Sequence, residues 1–124
     1  LIMIDRAKVT ALFMRLCTIP NEERDSLEEI VENACYFVAK RLSNDTLVTD
    51  MERVEFACAA VAVYDRTLLK LIADKTLCTA DGRQAQSYKD SDSYKYAVKL
   101  REHAIASISD IWEGGGFSFK AVEG

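Results

Sequence analysis

The chain has 124 residues, 49% of them hydrophobic and 29% charged, and a formal net charge of -4. That length fits one domain with one core. The apolar content excludes a disordered chain, and the acidic balance argues against a general nucleic-acid binder, which needs a concentrated basic surface.

The opening residues Leu1-Ile2-Met3-Ile4 are apolar but too short for a secretory signal, and Asp5 follows at once. Met3 reads as an initiator with two vector residues before it. Asp5 is placed to cap a first helix that runs to about Cys17, with Ala7, Val9, Ala11, Leu12, Phe13 and Leu16 as its broad apolar side. Pro20 then disfavours helix in the residue before it.

A second helix is expected to start between Asn21 and Ser26, and Ser26 with Glu29 has capping-box spacing. Leu27, Ile30, Val31, Ala34, Cys35, Phe37, Val38 and Leu42 follow at helical spacing. Glu22, Glu23, Asp25, Glu28 and Glu29 crowd its first turns, where negative charge suits the helix dipole. This ordinary role is preferred to a metal or partner site.

After a turn at residues 43–46, Thr49 and Glu52 form a second capping box. The third helix is expected over about 50–73, with Val54, Ala57, Cys58, Val61, Leu68, Leu69 and Ile72 on its apolar side. Between Phe56 and Tyr64 apolar residues wrap almost all round, the mark of a central helix with neighbours on several sides. Ala57, Ala59, Ala60 and Ala62 keep it thin enough for other backbones to approach closely. This apolar run is far shorter than the ~20 residues that span a bilayer, so a soluble, intracellular protein is expected.

Residues 74–90 carry two readings. Thr76-Leu77-Cys78 and Gln84, Gln86 and Tyr88 can form a hairpin about the Asp81-Gly82 turn, or the stretch is a mobile loop of a length often used for binding. A fourth helix follows the caps Asp90, Ser91, Asp92 and Ser93, ends near Trp112, and turns Tyr96, Ala97, Leu100, Ala104, Ile105, Ile108 and Ile111 to the core. Three glycines at 114–116 then stop the helix. Residues 117–122 alternate apolar and polar, a strand pattern that must pair with the loop hairpin or a partner, or stay mobile. The expected fold is therefore mainly α: a four-to-five-helix bundle over residues 1–113, a long central helix, a small β-hairpin or C-terminal strand, and a tail over 114–124.

The chain offers little chemistry. Its single histidine, His103, sits in a helix between core positions, where a structural or surface role is preferred to catalysis. No phosphate-binding glycine loop precedes a helix, and no H-E-x-x-H or EF-hand spacing occurs. The cysteines at 17, 35, 58 and 78 form no C-x-x-C pair, and Cys35 and Cys58 read as small core residues. Tyr88, Tyr94 and Tyr96 lie among Lys89, Lys95 and Lys99, a mixture that can stack on single strands but reads here as partly buried rings. No enzymatic activity, cofactor or metal is expected. One asymmetry stands out. Residues 20–56 hold ten acidic and four basic side chains, and residues 65–101 five acidic and eight basic. Opposite local charges can orient a head-to-tail contact between copies.

Three segments resemble the small head–tail connector (adaptor) proteins of tailed bacteriophages and prophages. They are the acidic-start helix ending Tyr36-Phe37-Val38-Ala39-Lys40-Arg41-Leu42 after a short first helix; the alanine-rich Ala57-Cys58-Ala59-Ala60-Val61-Ala62-Val63-Tyr64-Asp65-Arg66; and a variable loop, last helix and ending Phe117-Ser118-Phe119. The resemblance implies a helical bundle with a small β element. It also implies homo-oligomeric rings, commonly dodecamers, that contact portal and tail proteins. Such a protein resides in the bacterial cytoplasm during assembly and then in the virion neck. By the same resemblance residues 76–90 and 117–124 are interface elements, with Arg83, Gln84, Gln86, Tyr88, Lys89, Phe117, Phe119 and Lys120 as candidate contacts. The loop lacks a glycine-rich, β-prone signature beyond Asp81-Gly82. The alternative is a small cytosolic helical binding or regulatory module. Neither reading implies a membrane or a specific nucleic-acid ligand.

Overall fold

The computed structural model describes residues 4–78 and 91–113, with Asn21 and residues 74–78 as backbone only. Its elements are α1 (Arg6–Cys17), a 3-10 turn (Asn21–Leu27), α2 (Glu28–Ala39), a short 3-10 turn (Val48–Asp50), α3 (Met51–Cys78), α4 (Asp92–Ala106) and a last 3-10 turn (Ser109–Ile111). The fold is a mainly α four-helix bundle.

Local chemistry explains most helix ends. The Asp5 carboxylate accepts from the Ala7 and Lys8 amides at 3.0 and 3.3 Å, capping α1 as its sequence predicts. At the other end Thr18 takes the left-handed conformation (φ 55°), and its amide returns to the Met14 carbonyl. Glycine usually occupies such a position, since a β-branched residue is strained there. At the start of α4, Ser91 Oγ accepts from the Tyr94 amide at 3.2 Å.

Two expected capping boxes do not form. Ser26 Oγ donates instead to the Glu23 carbonyl (2.7 Å), because residues 21–27 wind as 3-10 helix and bring that carbonyl within reach. Before α3, the Asp50 carboxylate accepts from the Leu47 amide at 2.8 Å, so the cap falls two residues earlier than a Thr49–Glu52 box would place it. Thr76-Leu77-Cys78 is not a strand, since α3 continues helically through Cys78. The helix expected to end near Trp112 ends at Ala106, and a 3-10 turn carries the chain onward.

α3 packs against each of the other three helices. Residues 57–63 are all essentially inaccessible to solvent, so two turns of this helix have no outward face. Around them gather Val9 and Phe13 of α1, Val31, Ala34, Cys35 and Val38 of α2, and Ala97, Ala104 and Ile105 of α4. The 28 residues of α3 span about 42 Å at ~1.5 Å per residue, roughly twice the length of α1, α2 or α4. Its apolar wrapping covers only the first half. From Tyr64 to Ala73 no residue is buried: Leu68 is partly covered, and Leu69 and Ile72 are 60% and 39% exposed.

The chain's last described turn is tied back to the second loop. Leu42 and Trp112 form an isolated antiparallel bridge, in which Ser43 N donates to Ile111 O (2.7 Å) and Glu113 N to Arg41 O (2.6 Å). Arg53 of α3 adds a second tie, donating from Nη1 to the Ser107 carbonyl and to Asp110 Oδ1, both at 2.8 Å, and from Nη2 to Asp50. Asp50 is held below the usual carboxylate range by the Leu47 amide and then by Arg53, and Asp110 by Arg53. No described helix is long and apolar enough to cross a membrane.

Candidate functional site

Arg83, Gln84, Gln86, Tyr88, Lys89, Phe117, Phe119 and Lys120 all lie outside the described residues. So do both strands of the candidate hairpin except residues 76–78.

Of the tyrosine–lysine group, Tyr94 is half-buried, its ring tilted against Tyr64 with centroids 6.2 Å apart, while Tyr96 is exposed on α4. The two are parts of different surfaces. His103 is exposed on α4, next to buried Ala104, which agrees with the surface role preferred for it. Its carbonyl accepts from the Ser107 amide at the helix end. The acidic turn is partly neutralised within the chain, since Arg66 of α3 reaches Glu23 at 3.5 Å.

A cation–aromatic cluster binds α2, α3, α4 and the last turn together. Arg41 lies 4.0 Å from the Phe37 ring centroid. Arg101 of α4 sits between Phe37 (5.3 Å) and Tyr64 (4.9 Å), and Phe37 in turn meets buried Trp112 at 6.1 Å. Guanidinium groups over ring faces are attracted by the ring quadrupole. The cluster holds the last described turn against the bundle.

Cys35 and Cys58 are fully buried between α2 and α3, as expected of core thiols. The hydrogen bond with Cys35, and then burial, push the Cys58 thiol well above its ordinary value, so it is neutral and unreactive at physiological pH. Among the described residues no three His, Cys, Asp or Glu side chains gather as a metal site.

The feature that sequence reasoning missed is Glu55. It is 7% exposed, the one buried charged side chain among the described residues, yet no described residue pairs with it by hydrogen bond or ion pair. Its carboxylate oxygens are not enclosed and open to solvent at the groove. Glu55 borders a groove between α1 and the start of α3. Lys8, Ala11, Leu12 and Arg15 recur at helical spacing along the α1 wall. Val48, Thr49, Met51 and Glu52 shape the other wall. Two adjoining stretches of this groove hold about 540 and 310 Å³. Val48 at its rim is 78% exposed. One wall carries Lys8 and Arg15 and the other Glu52 and Glu55, so the groove suits a ligand with apolar groups and charges of both signs. A signal was present in the sequence: Glu55 interrupts an apolar run and shares a helix face with Cys58 and Ala59.

The fold defines the class of this protein, a four-helix bundle centred on an alanine-rich helix. No protein-family model, curated protein or solved structure matches the chain.

Proposed function

We propose that this protein is a non-enzymatic structural adaptor that assembles as a homo-oligomeric ring and joins portal to tail in a phage or prophage. The observation that most supports assembly is the unequal burial of α3. Its first half is a sealed hub, while its second half presents Leu69 and Ile72. A helix half built with apolar residues that its own bundle leaves exposed suits contact with another chain. The resemblance supplies the identity of the partners, and the ring size of twelve comes from it alone. The protein then acts in the bacterial cytoplasm during assembly and in the virion neck afterwards.

Electron microscopy of the purified full chain, alone and mixed with the portal encoded beside it, tests this reading. Rings, or an added ring of density beneath the portal, are expected. Monomers that leave the portal unchanged at every concentration and salt overturn it. Deleting residues 117–124 is expected to preserve the helical circular-dichroism signal and weaken assembly.

A further inference from the structure

We propose that Cys35 and Cys58 are an oxidisable pair, which hydrogen peroxide converts to a disulfide joining α2 to α3. This modification site stands independently of the adaptor reading.

Packing supplies the geometry. Cys35 lies on the buried face of α2 with Val31, Ala34 and Val38, and Cys58 in the sealed stretch of α3. The two thiols meet in a hydrogen bond across the α2–α3 seam. Ala34 beside Cys35, and Ala57 and Ala59 beside Cys58, are small and fully buried. Small neighbours let two helix backbones come close, as a disulfide requires, since its Cα atoms stand about 4.4–6.8 Å apart. Cys17, at the end of α1, meets Arg66 instead.

The two thiols are unequal. The Cys58 S–H donates to the Cys35 sulfur and, with Arg6 nearby, holds the Cys35 thiol below its ordinary value against burial. Cys35 is therefore the thiolate that reacts first. It attacks one peroxide oxygen, the O–O bond breaks, and Cys35 becomes a sulfenic acid. The departing hydroxide takes up the proton that Cys35 released and becomes water. Cys58, inert alone, then attacks the Cys35 sulfur. The S–S bond forms as hydroxide leaves that sulfur, and the Cys58 proton turns it into a second water. Two thiols are oxidised and one peroxide is reduced.

Access is local. Glu32 stands one turn before Cys35 on α2, and its carboxylate pairs at 2.7 Å with Arg6, the first residue of α1. Both side chains are about half exposed, and such surface pairs hold weakly. Arg6 also acts electrostatically on both thiols, so the ion pair lies near them. Fraying of the first turn of α1 opens a way in for a molecule little larger than water. The crosslink closes the chain around Leu42, Ser43 and Arg53, which hold the last described turn. In a reducing compartment the pair stays as thiols, and the disulfide records exposure to oxidant.

The test treats the reduced full chain with hydrogen peroxide, alkylates it under denaturing conditions and maps its peptides by mass spectrometry. A Cys35–Cys58 disulfide is expected, two hydrogens lighter than the dithiol. The melting temperature is expected to rise by about 5 °C or more and to return with dithiothreitol. Cys35→Ala is expected to leave Cys58 open to alkylation after the same treatment. Cys58→Ala is expected to leave Cys35 as a sulfenic acid that dimedone captures. The map of the unaltered chain stands even if a variant loses its fold. Free thiols at both positions after peroxide has oxidised Cys17 overturn the inference, as does a disulfide from either to Cys17 or Cys78.

Discussion

The two halves of α3 are one continuous helix with opposite surroundings. Residues 57–63 touch protein on all sides, and four of the seven are alanine. Residues 64–73 carry Asp65, Arg66 and Lys70 among leucines and isoleucine, and none is buried. Small side chains let three helices crowd the first half. Larger and charged ones keep the second half apart, so α3 overruns its partners. Helical hydrogen bonding does not distinguish these halves; packing does.

That comparison sets the expected order of mutational effects. Phe13→Ala, which opens a cavity against the hub, is expected to cost about 3–5 kcal/mol in denaturant unfolding. Ala60→Met, which forces extra volume where helices meet, is expected to cost about 1–3 kcal/mol. If Ala60→Met proves neutral, the first half is less tightly packed than its burial indicates.

Next come effects read as pH dependence. Asp50 and Asp110 titrate below the ordinary carboxylate value in the folded chain. Their contribution is present above that ordinary value and is lost as pH falls through the folded pKa values. Arg53→Ala is therefore expected to lower the melting temperature at neutral pH and flatten its fall in acid. An unchanged acid limb would show that the clamp adds nothing. Asp65 is the opposite case, because burial raises its pKa against the pull of Arg101. Its ionisation at neutral pH opposes folding, an effect absent below the ordinary aspartate value and complete above the folded one. Asp65→Asn is expected to leave stability equal or slightly higher at neutral pH, measured by thermal melts across pH.

The smallest change in monomer stability is expected for Leu69→Ser, within about 0.5 kcal/mol. The same substitution is expected to weaken assembly in sedimentation. A cost approaching that of Phe13→Ala would mean that the second half is core after all and would erase the contrast.

Much of this was legible beforehand. Asp5 and Ser91 could be read as caps because a cap depends on one side chain and amides two or three residues on. The hub could be read because apolar residues all round a helix leave it nowhere to go but inside. The boxes at Ser26–Glu29 and Thr49–Glu52 were misread because 3-10 turns shifted which amides stood free. Leu69 and Ile72 continue the apolar stripe faithfully, and periodicity alone cannot say where the neighbouring helices stop.

By itself, the sequence determined a mainly helical bundle, most of the helix starts and the central place of residues 57–63, because these follow from hydrogen bonding within a few residues and from side-chain size. Only the tertiary structure decided that the burial of α3 stops at Val63 and that Glu55 borders a groove between α1 and α3. Those properties depend on distances between elements remote along the chain, which local pattern does not encode.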